Sequence, residues 1–192
     1  MEDSTRPLNL EADLLVIGWG KAGKTLARDL ASHGRHVVLV ERDDAMIGGT
    51  CINVACVPTK TLVNLAERRG GRNPDEYLKQ AIASRDSLID KLRATNKAML
   101  SGQETVTLVH GEARFTGHRR IRVRAGEETL DITAGAVVVN TGTSPLMPDV
   151  PGIQGRFVYD STTIQHIADG RVPQTLTIVG GGFIGLEFAS MF

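Results

Sequence analysis

ADLLVIGWGKAGKTLARDLASHGRHVVLVE, the stretch from Ala12 to Glu41, decides the fold. Ala12 to Ile17 is a short apolar run ending at Gly18, the pattern of a buried strand. From Lys21 to His33, the apolar residues Leu26, Ala27, Leu30 and Ala31 recur at helical spacing, and Gly34 stops the helix. Val37 to Val40 is a second apolar, β-branched run that closes at Glu41. Strand, glycine turn, helix and strand within about 30 residues form a βαβ unit, which implies a parallel sheet.

The turn itself satisfies two patterns. Gly18-Trp19-Gly20-Lys21-Ala22-Gly23 fits the dinucleotide fingerprint Gly-x-Gly-x-x-Gly, and Gly18 to Thr25 also fits the phosphate loop of a nucleotide triphosphatase, Gly-x-x-x-x-Gly-Lys-Thr. Both seat a phosphate at a helix N-terminus, where unpaired N–H groups and the helix dipole favour an anion. The triphosphatase needs a Mg-holding Asp at the end of another buried strand, and no apolar run ends in Asp at a suitable place. The dinucleotide fold needs an acidic residue about 20 positions on, at the end of the second strand, to bond a ribose hydroxyl. Glu41 stands there, and close approach of a pyrophosphate explains Gly20, so the dinucleotide reading is preferred. On that reading Lys24 and Thr25 are ordinary first-turn helix residues and Trp19 is a packed loop residue.

The only two cysteines lie in one short segment, Gly48-Gly49-Thr50-Cys51-Ile52-Asn53-Val54-Ala55-Cys56-Val57-Pro58-Thr59-Lys60. On a regular helix five residues rise roughly 7.5 Å, whereas a disulfide needs Cα atoms roughly 4.4–6.8 Å apart. A Cys51–Cys56 bond therefore requires a distorted turn, which the flanking glycines and Pro58 support. Three uses are open from spacing alone: a redox pair, two unrelated buried thiols, or part of a metal site. A zinc site wants four ligands, and His33, His36, His110, His118 and His166 form no cluster in the sequence.

The rest of the chain supplies a scaffold. A helix is expected onward from the cysteines through Leu62, Leu65 and Ala66, then a breaker-rich loop from Arg68 to Pro74, then a long helix from Asp75 to Leu100. From Thr105 to Asn140 the pattern changes to alternating β segments: Val106–Val109, Arg114-Phe115, Ile121–Val123, Leu130–Ile132 and Ala136–Val139, broken by Gly117, Gly126 and Gly135. Pro145, Pro148, Pro151 and Gly152 mark a linker, and Asp160 to Ala168 reads as a short helix. Leu176 to Val179 reads as a buried strand opening a second glycine turn, Gly180-Gly181-Gly182, and a helix that runs to the last residue. A half-unit of this kind cannot bury its own apolar face, so the chain is expected to be a piece of a longer polypeptide. Met1 to Glu11 is polar and acidic and reads as a disordered lead.

In the 192 residues, 22 Lys and Arg balance 22 Asp and Glu, which gives no electrostatic case for nucleic acid or an anionic membrane. No apolar run reaches the roughly 18 residues of a membrane span. The expectation is a cytoplasmic protein, and in a reducing compartment a close cysteine pair is more often catalytic or metal-binding than a structural staple.

Taken together, these motifs resemble the class I pyridine nucleotide–disulfide oxidoreductases, the family of dihydrolipoamide dehydrogenase, glutathione reductase and mercuric reductase. The resemblance rests on Gly18-x-Gly20-x-x-Gly23 with Glu41, and on Gly49-Thr50-Cys51-x-Asn53-x-x-Cys56-x-Pro58-x-Lys60. It continues through Gly111-Glu112-Ala113, Asn140-Thr141-Gly142-Thr143-x-Pro145 and Gly180-Gly181-Gly182-Phe183-Ile184-Gly185-Leu186-Glu187. The strings from Gly20 to Ala27 and Pro58 to Val63 are most similar to a bacterial reactive-chlorine-resistance flavoprotein subgroup, itself similar to mercuric reductases.

The resemblance implies an α/β fold: a Rossmann-like FAD-binding domain with a parallel sheet and a β meander over residues 12–147, then a linker and the start of a second Rossmann-like, NAD(P)-binding domain over 148–192, truncated. It implies that FAD lies over Gly18, Gly20 and Gly23, with Glu41 and Arg42 at the adenosine ribose, Gly49, Thr50, Cys51 and Lys60 touching the cofactor, Ala113 on the adenine side, and Thr141 and Gly142 close by. Gly180, Gly182, Ile184 and Gly185 would hold NADH or NADPH. Cys56 would be the charge-transfer thiol facing the flavin, Cys51 the interchange thiol that meets substrate, and Lys60 a cation near the flavin ring paired with Glu187. Without the resemblance, Lys60 and Glu187 read as two solvated helix charges. The substrate would be a disulfide or a metal ion such as mercuric or cupric, with no resident metal, and the full-length protein a homodimer. Ala55 departs from the signature, where most members carry Gly: a helical backbone there accepts Ala, and a positive φ does not. The contrasting readings are a phosphate-loop nucleotide triphosphatase and an inactive fragment.

Overall fold

The computed structural model describes residues 8–167 and 171–192. The chain divides into two compact units, each built from two segments: one from the chain up to Thr50 with Arg93–Gly142, the other from Cys51–Leu92 with Thr143–Phe192.

The first unit is built on one six-stranded sheet. Its strands are β1 (Leu8–Ile17), β2 (Val37–Glu41), β3 (Val106–His110), β4 (Glu112–Gly117), β5 (Arg120–Ala125) and β6 (Glu128–Val139), in the order β3-β2-β1-β6-β5-β4. The pairs β1–β2, β2–β3 and β1–β6 are parallel, whereas β6–β5 and β5–β4 are antiparallel. The expected parallel sheet with a meander is therefore present, and the two parts form one continuous sheet.

Alternation along the central strands explains how the sheet is covered. In the register Leu14↔Val37 and Val16↔Leu39, these four side chains share a face and pack with Trp19, Ala27 and Leu100. Ala27 comes from α1 (Lys21–Ser32), the crossover helix. Leu15, Val38 and Val40 point the other way, against Ile121, Val123, Ile132 and Ala134 of the meander. With both faces covered, β2 reads as an unbroken apolar run, as parallel strands do. Trp19 is buried, as expected of a packed loop residue.

Three expectations need correction here. The lead was expected to be disordered through Glu11, but Leu8 to Glu11 form the start of β1, paired in parallel with Leu130 to Thr133; residues 1–7 lie outside the described residues. Backbone pairing holds this segment in place, with Leu10 partly packed in the core. Second, Leu130–Ile132 and Ala136–Val139 are one strand, β6. Gly135 does not break it: a Cβ there would lie 2.9 Å from the Asp13 carbonyl oxygen, so this glycine permits close approach of β1. Third, Leu176 to Val179 forms no strand, and Val179 is 84% exposed. An apolar run becomes a strand only by pairing, and no described strand pairs with it.

The second unit is mostly helical. It contains α3 (Cys56–Glu67), most of α4 (Pro74–Ser101) and α5 (Phe183–Met191), and α3 packs on α5. The one-turn helix α2 (Thr50–Asn53) precedes α3. Asn73 starts α4 by accepting from the Asp75 and Glu76 N–H groups, and Pro74 stands at the first helical position, where its missing N–H costs nothing. The short helix expected from Asp160 is a capped turn leading into a 3₁₀ turn at Ile164–His166; Ala168 lies outside the described residues.

Candidate functional site

The glycine turn of the first unit runs from the end of β1 into α1. Gly18 has φ +97°, and a Cβ on it would fall 2.4 Å from the Asn140 carbonyl oxygen. Both the left-handed backbone and the space require glycine. Gly20 and Gly23 likewise abut the Asn140 side chain, with a hypothetical Cβ 2.6 Å from its Nδ2 in each case. Gly49, at φ +84°, brings its backbone against Gly20, where a Cβ would meet the Gly20 Cα at 2.6 Å. Gly142 sits beside the Thr50 hydroxyl, and Thr141 is exposed between Asn140 and Gly142. Gly18, Gly20, Gly23, Gly49, Thr50 and Gly142 thus converge around the ends of β1 and β6. Gly20 caps α1 without any side-chain hydrogen bond, and no acidic residue occupies the helix's first turn. Backbone N–H groups at a glycine-lined helix start suit a phosphate-bearing ligand.

Glu41 closes β2 as expected, and its carboxylate is tied into the turn. Oε2 accepts from the Trp19 N–H at 3.0 Å, and Oε1 accepts from the Arg42 and Asp43 N–H groups at 2.9 and 3.2 Å. Each oxygen has two lone pairs, so Oε2 retains capacity for a ligand hydroxyl. The Gly111 N–H donates to the Glu41 carbonyl at 2.9 Å, which brings Gly111-Glu112-Ala113 to the same strand end. Arg42 is exposed there, and Ala113 is partly buried.

Lys24 corrects the expectation of an ordinary first-turn residue. Its side chain is buried, and Nζ donates to the Gly48 carbonyl at 3.2 Å and to Asn96 Oδ1. A phosphate-loop lysine must reach a nucleotide's outer phosphates, whereas this ammonium is turned inward to tie the segment before Gly49 to α4. Thr25, the would-be Mg ligand, donates its hydroxyl to the Lys21 carbonyl at 2.7 Å.

In the second unit the helical path breaks between the cysteines. Cys51 lies in α2, half-buried, and Cys56 is the exposed first residue of α3. Both are in the thiol form. Ala55 adopts φ −124° and ψ −103°, neither helical nor left-handed, so both alternatives drawn from the sequence are replaced by a bent junction. Pro58 is buried in the first turn of α3, where its missing N–H breaks no bond of that helix. Lys60 is four residues beyond Cys56 and so on the same helical face, and its Nζ donates to Glu187 Oε1. The expected Lys60–Glu187 pair is present, joining α3 to α5.

Glu187 belongs to the helix that follows the second glycine turn. Gly180 has φ +112°, Gly182 caps α5, and Gly185 packs on Gly180, where a Cβ would lie 2.8 Å from its carbonyl oxygen. Ile184 is exposed on the first turn of α5. The loop–helix half of the second nucleotide motif is formed, without its strand. Among the described residues, no group of three or more His, Cys, Asp or Glu is placed to hold a metal ion, and no helix is long and apolar enough to cross a membrane.

Sequence reasoning missed the Asn96–Lys24 contact, the packing of the signature glycines on Asn140, and Gln165, whose side-chain amide donates to the Val54 carbonyl at 3.1 Å. The amides of Asn96 and Gln165 carry no motif, and only the buried position of the helix and turn bearing them brings them to these loops.

Comparisons with known proteins identify the family. The family profile described as pyridine nucleotide-disulphide oxidoreductase matches residues 12–192. The chain is 40% identical over 179 residues to the probable pyridine nucleotide-disulfide oxidoreductase RclA of Escherichia coli K12, covering 93% of this chain and 39% of that protein. It is 33% identical to a mercuric reductase of Streptomyces lividans, covering 94% of this chain and 40% of that one. It is 36% identical to a dihydrolipoyl dehydrogenase of Thermus scotoductus, covering 94% and 39%. A solved Cu(II) complex of the HOCl-induced flavoprotein disulfide reductase RclA from E. coli superposes with a TM-score of 0.85 at 39% identity, over 94% of this chain and 40% of that one. The chain thus spans about two fifths of the length of these relatives. With its signature glycines, cysteines and Lys60–Glu187 pair placed as described, the chain belongs to the pyridine nucleotide-disulphide oxidoreductase family.

Proposed function

We propose that this chain is the N-terminal portion of an FAD-dependent oxidoreductase that carries electrons from NADH or NADPH to the Cys51–Cys56 pair and on to a disulfide or metal-ion substrate. The observation that carries the reading is the broken helix between the two cysteines, with Lys60 one turn beyond Cys56 and paired to Glu187.

FAD would be held by Gly18, Gly20, Gly23, Glu41, Arg42, Gly49, Thr50, Ala113, Thr141 and Gly142. The glycine cradle and the remaining acceptor capacity of Glu41 fit its pyrophosphate and ribose. Cys51 and Lys60 complete the assignment on the flavin side, and Gly180, Gly182, Ile184 and Gly185 would serve the nicotinamide cofactor. When bound, FAD supplies a two-electron carrier between a nicotinamide and a disulfide. The Cys51–Cys56 disulfide then takes up two electrons and two protons to give two thiols. As a thiolate, Cys51 attacks one sulfur of a disulfide substrate and releases the first product thiol. Cys56 attacks Cys51 in the mixed disulfide, which releases the second thiol and restores the Cys51–Cys56 bond. Cys56 stands at a helix N-terminus, where negative charge is favoured. Lys60 places a positive charge one turn on, positioned to stabilise electron density on a reduced cofactor.

Residues 12–147 form the FAD-binding part and 148–192 the linker and start of the NAD(P)-binding part in this reading. The complete protein works in the cytoplasm as a homodimer. The mercuric reductases among the relatives support a metal-ion substrate, and the flavoprotein disulfide reductase supports a disulfide. The inward-turned Lys24 argues against the phosphate-loop alternative. Purification of the complete gene product tests the choice: a yellow protein with an oxidised-flavin spectrum is expected, and colourless protein with Mg-dependent ATP hydrolysis would sink the proposal.

A further inference from the structure

The carbonyl of Val54 lies at the bend between the two cysteines. If α2 continued into α3 as one helix, that carbonyl would accept from the N–H four residues on. That residue is Pro58, which has none. The first regular acceptor of α3 is instead Ala55, whose carbonyl takes the Thr59 N–H at 3.1 Å. The donor missing at Pro58 is replaced from outside the helix: Gln165 Nε2 donates to the Val54 carbonyl at 3.1 Å and, with its second hydrogen, to the Ser161 carbonyl at 2.7 Å.

Gln165 is built in. It is 3% exposed, and its own carbonyl accepts from Nη1 of Arg85, whose side chain is fully buried. The Arg85 guanidinium is oriented by Asp86, at 2.9 Å from Nε, and its Nη2 lies 3.3 Å from His166 Nδ1. The turn that carries Gln165 is capped by Asp160, whose Oδ1 accepts from the N–H groups of Thr162 and Thr163 at 2.9 and 2.7 Å. All these residues belong to the second unit.

We propose that Gln165 is a positioning residue for the redox pair: by supplying the hydrogen bond that Pro58 cannot, it holds the α2–α3 bend open to disulfide closure. The bend is present while both cysteines are thiols. Loss of the Gln165 amide lets the segment relax from that geometry and disfavours the disulfide relative to the dithiol. The inference rests on the redox reading of Cys51 and Cys56 given above.

The test equilibrates the complete gene product with glutathione buffers, traps thiols by alkylation and weighs the products. The reaction is two protein thiols plus oxidised glutathione going to the Cys51–Cys56 disulfide plus two reduced glutathiones. Gln165→Met, similar in length but without donors, should lower this oxidation constant about tenfold, roughly 30 mV for a two-electron couple. Pro58→Ala restores a backbone N–H at position 58, so Pro58→Ala and Pro58→Ala/Gln165→Met should agree within about twofold. A purely structural role for Gln165 would lower the melting temperature, leave the oxidation constant unmoved and gain nothing from Pro58→Ala. An unchanged constant in Gln165→Met, beside a wild-type protein that forms the disulfide, overturns this inference and leaves the redox reading standing. A wild-type protein that forms no Cys51–Cys56 disulfide in oxidising buffer overturns both. If Gln165→Met does not fold, the comparison of Pro58→Ala with the double variant decides: a persistent tenfold gap, or a double variant that fails to fold where Pro58→Ala folds, overturns the inference.

Discussion

Single residues in this chain carry more than their motif positions announce. Lys24 satisfies a phosphate-loop pattern, yet its ammonium is turned inward to Gly48 and Asn96. Removing a buried donor strands its acceptors, which costs about 1–3 kcal/mol. Lys24→Met is therefore expected to reduce the unfolding free energy of the complete flavoprotein by that amount in denaturant titration; unchanged stability would contradict the structural role. Ala55 teaches a related lesson. The sequence poses a choice between a helical and a left-handed backbone, and the residue adopts neither, because Pro58 withholds the donor that would continue the helix and the chain turns at that point. Glu41 was legible from the end of β2 alone. Its bond to the Trp19 N–H was not, since it depends on how the glycine turn folds back.

Elements were legible where their signal is local. β1, α1 and β2 follow from apolar periodicity and two glycines, and α4 from a long amphipathic pattern opened by Asn73 and Pro74. The missed features are set by partners distant in sequence. Leu8 to Glu11 are ordered by β6, and Gly135 is a point of close approach to Asp13, although glycine in isolation reads as a breaker. Leu176 to Val179 has a strand's composition without a strand's neighbour. The turn bearing Gln165 has its own electrostatic signature. Desolvation of the ring and then the Arg85 charge push His166 below the usual imidazole range, against the pull of Asp86. A histidine whose folded-state affinity for protons is depressed contributes fully above its unfolded pKa of about 6.5 and loses that contribution as pH falls from there through the lowered folded value. Acidification should weaken this turn in that window. NMR titration of the His166 ring checks it: a midpoint below that of the unfolded chain is expected, and one at or above it would contradict the assignment.

For the whole molecule, the two units differ in chemistry. The sheet-based unit offers backbone N–H groups, glycine surfaces and the fixed Glu41 carboxylate, to which the proposal assigns a dinucleotide. The helical unit carries the two thiols, the Lys60–Glu187 pair and the second glycine turn. Family membership was legible because several ordered motifs recur at the right spacing; the discontinuous build of the units was not, because it follows from contacts between segments about a hundred residues apart. The proposed division of roles within the cysteine pair is read from the long-wavelength absorbance of the complete flavoprotein after two-electron reduction. Cys51→Ser should retain the thiolate-to-flavin charge-transfer band and Cys56→Ser should lose it. A band that survives Cys56→Ser, or disappears with Cys51→Ser alone, would contradict the account.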